Sequence, residues 1–159
     1  MAGIATRANY PFAPSSKDAM RGSYVHLRLG VVIAQDDKAA LISEWLAELK
    51  QLRLASFPYV QDALDYAAGH RPHLTIADYE RFGAAGVHGL AQYIGQCGCP
   101  VILICRDISD WEREQFAILG VHAWFEGQFH LQDLSRAVDS ALRRRRRIGS
   151  SERLPVVTG

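Results

Sequence analysis

The chain is short of cysteine, of net charge and of long apolar runs, and each shortage excludes a class of protein. Three cysteines among 159 residues, Cys97, Cys99 and Cys105, do not make a disulfide framework, which favours reduced thiols and a cytoplasmic location. The net charge of +1 provides no overall field that attracts nucleic acid, so nucleic-acid binding is not expected. No segment approaches the ~20 apolar residues of a membrane span, and no signal peptide is recognisable, so no membrane association is expected.

The composition is otherwise that of one ordinary folded domain, with 48% hydrophobic and 22% charged residues. A domain of this length buries enough surface to be stable without disulfides or a structural metal. Residues 1–22 are predicted to be a flexible leader, because Pro11, Pro14 and Gly22 interrupt any regular element. Residues 23–147 are predicted to be the folded domain, and residues 148–159 a polar linker toward an output domain.

Short apolar runs alternate with amphipathic segments along the chain. The run LGVVIA, residues 29–34, is typical of a strand buried on both faces, and apolar residues between positions 41 and 52 then recur at helical spacing. Further strands are predicted at 54–57, 74–77, 101–105 and 123–125, and further helices at 61–68, 89–96, 110–119 and 131–147. Ser109 and Glu112 form a capping-box pattern before the fourth helix. The alternation predicts a parallel sheet covered by helices on both faces.

Polar residues follow the predicted strands at their carboxyl ends, where ligands bind in doubly wound sheets. In strand order these residues are Gln35, Asp36 and Asp37; Asp78; Cys105 and Arg106; and the turn at 126–129. Carboxylates from the first and third strand ends are therefore expected to meet in one cleft.

In order and spacing, these segments resemble the receiver domains of bacterial two-component response regulators over residues 29–142. The resemblance is carried by LGVVIAQDD, by PHLTIAD ending at Asp78, by PVILICRD from Pro100 and by GVHAWFEGQF from Gly120. It implies an α/β fold of the flavodoxin-like, doubly wound type, with five helices around a five-stranded parallel sheet in the order 2-1-3-4-5. It also implies signal transduction rather than catalysis, so no enzymatic activity is expected.

The resemblance assigns family roles to five positions, of which three carry a different residue type. Asp78 takes the place of the phosphorylated aspartate, Gln35 and Asp36 that of the acidic pair, Cys105 that of the hydroxyl switch residue and Gly127 that of the pocket lysine. Gln35 removes a charge from the site of the divalent cation, and Cys105 is a weak hydrogen-bond donor. Gly127 cannot supply the cationic hydrogen bond to a phosphoryl group, worth about 1.5–3 kcal/mol. These changes predict a degenerate receiver, or pseudo-receiver.

The positive charge of the missing lysine has one candidate replacement at the strand ends. Arg106 is predicted to pair with Asp78 or Asp36 and to hold the cleft in one conformation, the alternative being an arginine that points into solvent. A neighbouring lysine that reached the cleft would instead restore the cation and with it the switch. Trp124 occupies the family's aromatic switch position, where it is predicted either to rotate with the cleft or to pack in place.

Three functions are consistent with these residues. The first is a non-catalytic module that regulates an output domain through protein contacts and dimerisation and needs no cofactor. The second is a working phosphoacceptor, phosphorylated on Asp78, with Mg²⁺ held by Asp36 and Asp78. The third is a flavodoxin-like cofactor binder, which shares the alternation of strands and helices, although no phosphate-binding loop follows the first strand.

A homodimer is predicted through the side formed by helix 4, strand 5 and helix 5. The residues predicted to extend an apolar surface there are Trp111, Phe116, Leu131, Leu134, Val138, Ala141 and Leu142. The five arginines at 143–147 are interpreted as a solvated helix end. Residues 154–159 resemble the segment that opens many diguanylate cyclase domains, which indicates cyclic-di-GMP signalling, with a DNA-binding output equally open.

Two further patterns have a plain structural interpretation. Cys97 and Cys99 form a C-x-C pair, but no second pair supplies the ligands of a zinc site. Gly83, Gly86 and Gly89 lack the strand and the lysine of a phosphate-binding loop, so flexible turn geometry is the better explanation.

Overall fold

The computed structural model describes residues 27–49 and 51–151, and of residues 144–151 the backbone alone. The predicted leader, residues 1–22, and residues 152–159 of the predicted linker lie outside the described residues. The strands are β1 (Arg28–Ile33), β2 (Leu52–Phe57), β3 (Leu74–Asp78), β4 (Val101–Cys105) and β5 (Ala123–Glu126). The helices are α1 (Asp36–Trp45), α2 (Val60–His70), α3 (Gly86–Cys97), α4 (Asp110–Leu119) and α5 (Leu131–Ser151).

All five strands are parallel and follow the order β2-β1-β3-β4-β5, which confirms the predicted fold class. Every residue of β3 and of β4 is buried, as expected for central strands with helices on both faces. One core, which includes Leu90, Tyr93 and Phe116, packs α2, α3 and α4 on one face of the sheet. The other, which includes Ile42 and Leu134, packs α1 and α5 on the opposite face.

Strand register brings the candidate site together at the carboxyl edge of the sheet. Ile33, the last residue of β1, pairs with Ala77, and Asp78 pairs with Ile104. Cys105 pairs in turn with Glu126 at the end of β5. The segments that follow β1, β3, β4 and β5 therefore begin at the same edge, because parallel strands all end on one side.

Most elements differ from their predicted bounds by one to three residues, and three differences go beyond that. Helix α1 ends at Trp45, and Leu52, predicted to continue its helical spacing, instead begins β2 opposite Arg28, because pairing with β1 outweighs local periodicity. A 3-10 helix, Tyr79–Ala85, follows β3 and was not predicted. Helix α5 continues past position 147 to Ser151, since arginine is a good helix former and the next proline lies at position 155.

The predicted turn geometry of the spaced glycines is present at two of the three positions. Gly83 and Gly86 have φ of 57° and 47°, a region that other residues rarely adopt. Gly89 lies inside α3, where an added Cβ would come within 2.9 Å of the Cβ of Ala85. Its role is therefore close packing rather than turn formation.

The predicted apolar surface on α4 and α5 is wrong for most of its residues. Phe116, Leu134, Val138 and Ala141 have no exposed surface, because they cover the sheet and form its two cores. Trp111 remains exposed at 58% and Leu131 at 40%. No helix in the described part of the chain combines the length and apolar character that crossing a membrane requires.

Candidate functional site

An ion pair between Lys38 and Asp78 lies at the centre of the carboxyl edge. The Nζ atom of Lys38 donates a hydrogen bond to Oδ2 of Asp78 at 2.8 Å. The Asp78 side chain is 8% exposed and that of Lys38 39%, so the carboxylate is buried while the ammonium keeps contact with solvent. Charge-assisted hydrogen bonds of this length are among the strong ones in proteins. The carboxylate of the predicted phosphoacceptor position is thus neutralised by a cation from the chain itself.

The second oxygen of Asp78 is also engaged. Oδ1 accepts a hydrogen bond from the backbone N–H of Glu80 at 3.2 Å and so caps the 3-10 helix that follows β3. This contact satisfies one of the backbone donors that a helix start leaves unpaired. Asp78 therefore has both a local structural role and a long-range ion pair, and neither oxygen is without a donor.

The residues after β1 occupy the start of α1 and are exposed. Gln35 is the N-cap residue, although its side chain forms no capping hydrogen bond, and Asp36 and Asp37 lie in the first turn. Oδ1 of Asp37 accepts a hydrogen bond from the backbone N–H of Lys38 at 2.8 Å. Negative charge at this end of a helix is stabilised by the helix dipole. No ion pair of Asp36 is found among the described residues, and Lys38 rather than Asp36 contacts Asp78.

Arg106 does not form the predicted ion pair with Asp78 or Asp36. Its Nε atom lies 3.4 Å from Oε2 of Glu80, and the two side chains are 76% and 53% exposed. The predicted pairing is wrong because the guanidinium extends over the surface to a carboxylate two residues beyond Asp78, while Lys38 already occupies Oδ2. A cation of the chain does pair with Asp78, as the hypothesis proposed, but the cation is Lys38 and not Arg106.

Cys105 and Gly127 close the floor of the cleft between β4 and β5. The backbone N–H of Gly127 donates to the carbonyl of Cys105 at 3.0 Å, and Gly127 has a φ of 68°. A Cβ placed on Gly127 would meet no atom within 4 Å, so the pocket lysine of the family pattern is replaced by open space. Gly127 also lines a cavity of about 330 Å³, whose walls include Lys38, Asp78 and Phe129.

The thiol of Cys105 is held in its protonated form by its surroundings. Burial raises the pKa of Cys105 to about 12, and the negative charges of Glu126, Asp78 and Glu112 add to the effect. A thiol in this state is protonated at neutral pH and is a weak hydrogen-bond donor. The side chain at the predicted switch position therefore has little means of following a charge change at Asp78.

Glu126 and Trp124, at the end of β5, are each held by residues of α4. Arg113 donates from Nε and Nη2 to the two oxygens of Glu126 at 2.8 Å each, and these hydrogen bonds hold the pKa of Glu126 below its usual range. The ring of Trp124 lies 5.4 Å from that of Phe116 in an edge-to-face arrangement. The predicted switch residue Trp124 thus packs against α4 in this conformation.

The residues at the cleft do not fit a divalent cation as they stand. Carboxylate and carbonyl oxygens are the ligands that Mg²⁺ takes, usually from more than one side chain. Within residues 27–49 and 51–151, no three His, Cys, Asp or Glu side chains come close enough to hold a metal ion. Asp78, the one buried carboxylate in the described part of the chain, has its Oδ2 atom 2.8 Å from the ammonium of Lys38, which repels a cation. The family's magnesium site is therefore not formed by this arrangement of residues.

The sequence prediction named no particular lysine, but it expected that a neighbouring lysine reaching the cleft would restore the missing cation, and Lys38 is such a residue. Lys38 is the third residue of α1, in the first turn, where the helix dipole disfavours a positive charge. A lysine at this position is stabilised by a carboxylate close to its ammonium group, but its position in the sequence does not say which one. Asp78, the last residue of the adjacent strand β3, supplies that carboxylate.

The fold is that of solved receiver domains. No family model matches the chain, and no curated protein sequence matches it significantly. A CheY-like response regulator receiver domain protein from Methanospirillum hungatei JF-1 superposes with a TM-score of 0.66 at 14% identity, over 77% of this chain and 98% of that chain. At 14% identity, the superposition shows that the two chains share a fold.

Two further structures match nearly as well. The signal receiver domain of a modulated diguanylate cyclase from Desulfovibrio desulfuricans G20 has a TM-score of 0.62 at 21% identity, over 74% of this chain and 95% of that chain. The BeF3-activated N-terminal receiver domain of RstA from Klebsiella pneumoniae has a TM-score of 0.62 at 19% identity, over 73% of this chain and 98% of that chain.

Proposed function

We propose that this chain is a degenerate receiver, a non-catalytic module of signal transduction that acts through protein contacts and not through phosphorylation. The observation that carries the proposal is the 2.8 Å ion pair between Lys38 and Asp78. Lys38 places a fixed positive charge where a phosphoacceptor receiver needs an exchangeable divalent cation and a free carboxylate oxygen. The cleft is then locked in one state by the chain's own cation.

The other departures at the cleft support the same proposal. Gln35 lowers the negative charge near the metal position, and Gly127 provides no cation for a phosphoryl group. The buried thiol of Cys105, with its raised pKa, offers a phosphoryl oxygen only a weak donor. A phosphoryl group on Asp78 would also have to displace Lys38 from a buried carboxylate. A module that acts in this way does not require Mg²⁺.

The competing proposal is a working phosphoacceptor in which Lys38 replaces the missing pocket lysine. It is favoured by the same ion pair, because a lysine beside Asp78 can also contact a phosphoryl group once one is attached, which is the outcome expected from the sequence for a neighbouring lysine that reaches the cleft. In this alternative Asp78 is phosphorylated, and Mg²⁺ is held by Asp78 and Asp36 after Lys38 has moved. We favour the degenerate receiver because the alternative requires the Lys38 contact to break and an exposed Asp36 to turn toward the cleft.

Beryllofluoride separates the two functions, since it forms a phosphoryl-like adduct on a competent aspartate. We expect no Mg²⁺-dependent adduct on Asp78, measured by ¹⁹F NMR, and no mass increase after incubation with acetyl phosphate. The RstA receiver domain, whose structure is BeF3-activated, is the positive control. A Mg²⁺-dependent adduct that Asp78→Asn abolishes would overturn the degenerate-receiver proposal.

The partners proposed for this module are an output domain or signalling protein and a second copy of the chain. The exposed face of α4 is the candidate contact, because Trp111 and Ile118 lie seven residues apart, on one side of the helix, and are 58% and 69% exposed. Sedimentation equilibrium should give a dimer whose dissociation constant rises at least about tenfold in Ile118→Asp, since a charge then replaces apolar surface that the dimer would bury. A monomer at all concentrations would remove the dimer from the proposal.

The flavodoxin-like cofactor binder has the same strand order, so the fold does not separate it from a receiver. The absorption spectrum of the purified protein does, because a bound flavin is yellow. A colourless protein is expected. The cytoplasmic location and the link to cyclic-di-GMP signalling are parts of the proposal that rest on the sequence.

A further inference from the structure

Two cysteines lie in contact at the amino edge of the sheet, opposite the Asp78 cleft. Helix α3 ends at Cys97, and Gly98 then adopts the left-handed region with φ 65° and ψ 13°. This reversal carries the chain back toward β4 and places the Sγ atoms of Cys97 and Cys99 3.5 Å apart. Cys99 is buried and Cys97 is half-buried, so Cys97 is the member of the pair that lies closer to solvent.

The surroundings of the pair tolerate a change in its chemistry. Oγ1 of Thr75, on β3, lies 3.4 Å from Sγ of Cys99 and 2.7 Å from the hydroxyl of Tyr93. Both hydroxyls are fully buried, and the hydrogen bond between them uses only one of their two O–H donors. When Tyr93 donates to Thr75, the Thr75 hydroxyl can donate to Sγ of Cys99, and this sulfur can still accept once it is part of a disulfide.

We propose that Cys97 and Cys99 form a dithiol modification site, which a small-molecule disulfide such as oxidised glutathione converts into an intrachain disulfide. The sulfur of Cys97 attacks the oxidant and releases one reduced glutathione, and the sulfur of Cys99 then displaces the second. Two S–H bonds and the S–S bond of the oxidant are broken, one S–S bond forms in the protein, and both protons end on glutathione. The sulfur atoms must approach from 3.5 Å to about 2.05 Å, a movement within reach of side-chain rotation.

The reactivity of Cys97 decides the conditions of the test. The hydrogen bond with Cys99 and burial raise the pKa of Cys97, so the first step is slow at neutral pH and needs an excess of oxidant.

A structural zinc site is a poorer explanation of the two cysteines, because no group of three potential metal ligands is found in the described ranges 27–49 and 51–151.

The experiment counts thiols in the full chain after oxidation. Reduced protein is incubated with excess oxidised glutathione, denatured, and labelled with N-ethylmaleimide before intact-mass measurement. We expect a chain that has lost two hydrogen atoms and takes one label instead of the three that its cysteines allow. Peptide mapping should place the single label on Cys105. A stable glutathione adduct on Cys97 with no intrachain disulfide would overturn the proposal.

Variants and a second reagent keep the result independent of folding defects. Cys105→Ala should still form the disulfide, whereas Cys97→Ser, at the half-buried position, should not. Phenylarsine oxide bridges two thiols with release of water and without oxidation, so it reports their proximity directly. Binding of one equivalent in the wild type and its loss in Cys97→Ser are expected, and equal binding by both proteins would contradict the assignment.

Discussion

Lys38 and Asp78 are 40 positions apart in the chain and meet at 2.8 Å, one from the first turn of α1 and the other from the end of β3. The contact joins the two acidic segments of the predicted cleft through a cation that neither family motif contains. It also explains how a lysine is accommodated in a helix turn that disfavours positive charge. The lock that we propose for the cleft therefore depends on a single pair of side chains, which makes it open to direct measurement.

Replacing Lys38 by Met should destabilise the fold, because it leaves the buried Asp78 carboxylate with one hydrogen bond in place of two. We expect the free energy of unfolding in urea to fall by about 1–3 kcal/mol. In Asp78→Asn the same lysine substitution should cost markedly less, since no buried charge remains. The double-mutant cycle gives the coupling. Equal costs in both backgrounds would show that the pair contributes nothing.

Arg136→Met is the matched control for the loss of a positive charge. Arg136 forms an exposed pair with Asp133 at 3.2 Å on α5. Exposed pairs of this kind contribute about 0–1 kcal/mol, so this variant should unfold close to the wild type.

Replacing Arg106 by Ala should change neither stability nor the state of the cleft. Its pair with Glu80 is 3.4 Å long and exposed on both sides, so solvent screens the attraction. We expect the urea midpoint to stay within experimental error and beryllofluoride to produce no adduct, as in the wild type. If Arg106→Ala instead lost as much stability as Lys38→Met, the assignment of the internal cation to Lys38 would be wrong.

Glu126 should contribute to the acid sensitivity of the fold. Its pKa is lowered in the folded state by the hydrogen bonds from Arg113, so its contribution is present above the unfolded pKa and is lost as pH falls through the folded pKa. Glu126→Gln should therefore lose less stability than the wild type between about pH 7 and about pH 3, as measured by urea unfolding. The pKa of Glu112 is also lowered, chiefly by a backbone hydrogen bond at Ser109, so part of the acid sensitivity should remain.

The control for this pH series is Asp133→Asn, which removes an exposed carboxylate of α5 with a different arginine partner. Because its pair with Arg136 is exposed, this substitution should change the free energy of unfolding at pH 7 by no more than about 1 kcal/mol. Parallel curves for Glu126→Gln and the wild type would contradict the role given to the Arg113 pair.

Cys105 should be almost inert toward thiol reagents in the folded protein. Burial raises the pKa of Cys105 to about 12, which leaves very little thiolate near neutral pH. In the Cys97→Ser/Cys99→Ser variant, the reaction with Ellman's reagent should therefore be much slower before unfolding in urea than after it. A rapid reaction in the folded state would show that the cleft is open to solvent at Cys105.

The elements of the fold were predictable because their signals are local. The β-branched run at 29–34 and the capping box at Ser109 and Glu112 involve residues within a few positions of one another, and both are confirmed. Strand β4 and helix α4 match their predicted bounds for the same reason. Helix α1 does not match its predicted bounds, because Leu52 pairs with Arg28 in the sheet and the helix therefore ends earlier, at Trp45.

The sequence by itself determined the alternation, the fold class and which residues stand at the strand ends. Only the tertiary structure decided which of these side chains meet, because that depends on the packing of α1 and α4 against the sheet and on the reach of long side chains. In the tertiary structure, Lys38 rather than Arg106 pairs with Asp78, and Arg113 pairs with Glu126. The apolar stripe of α5, which was predicted to extend an exposed apolar surface, is largely buried. Contacts of this kind span tens of residues, and no local pattern specifies them.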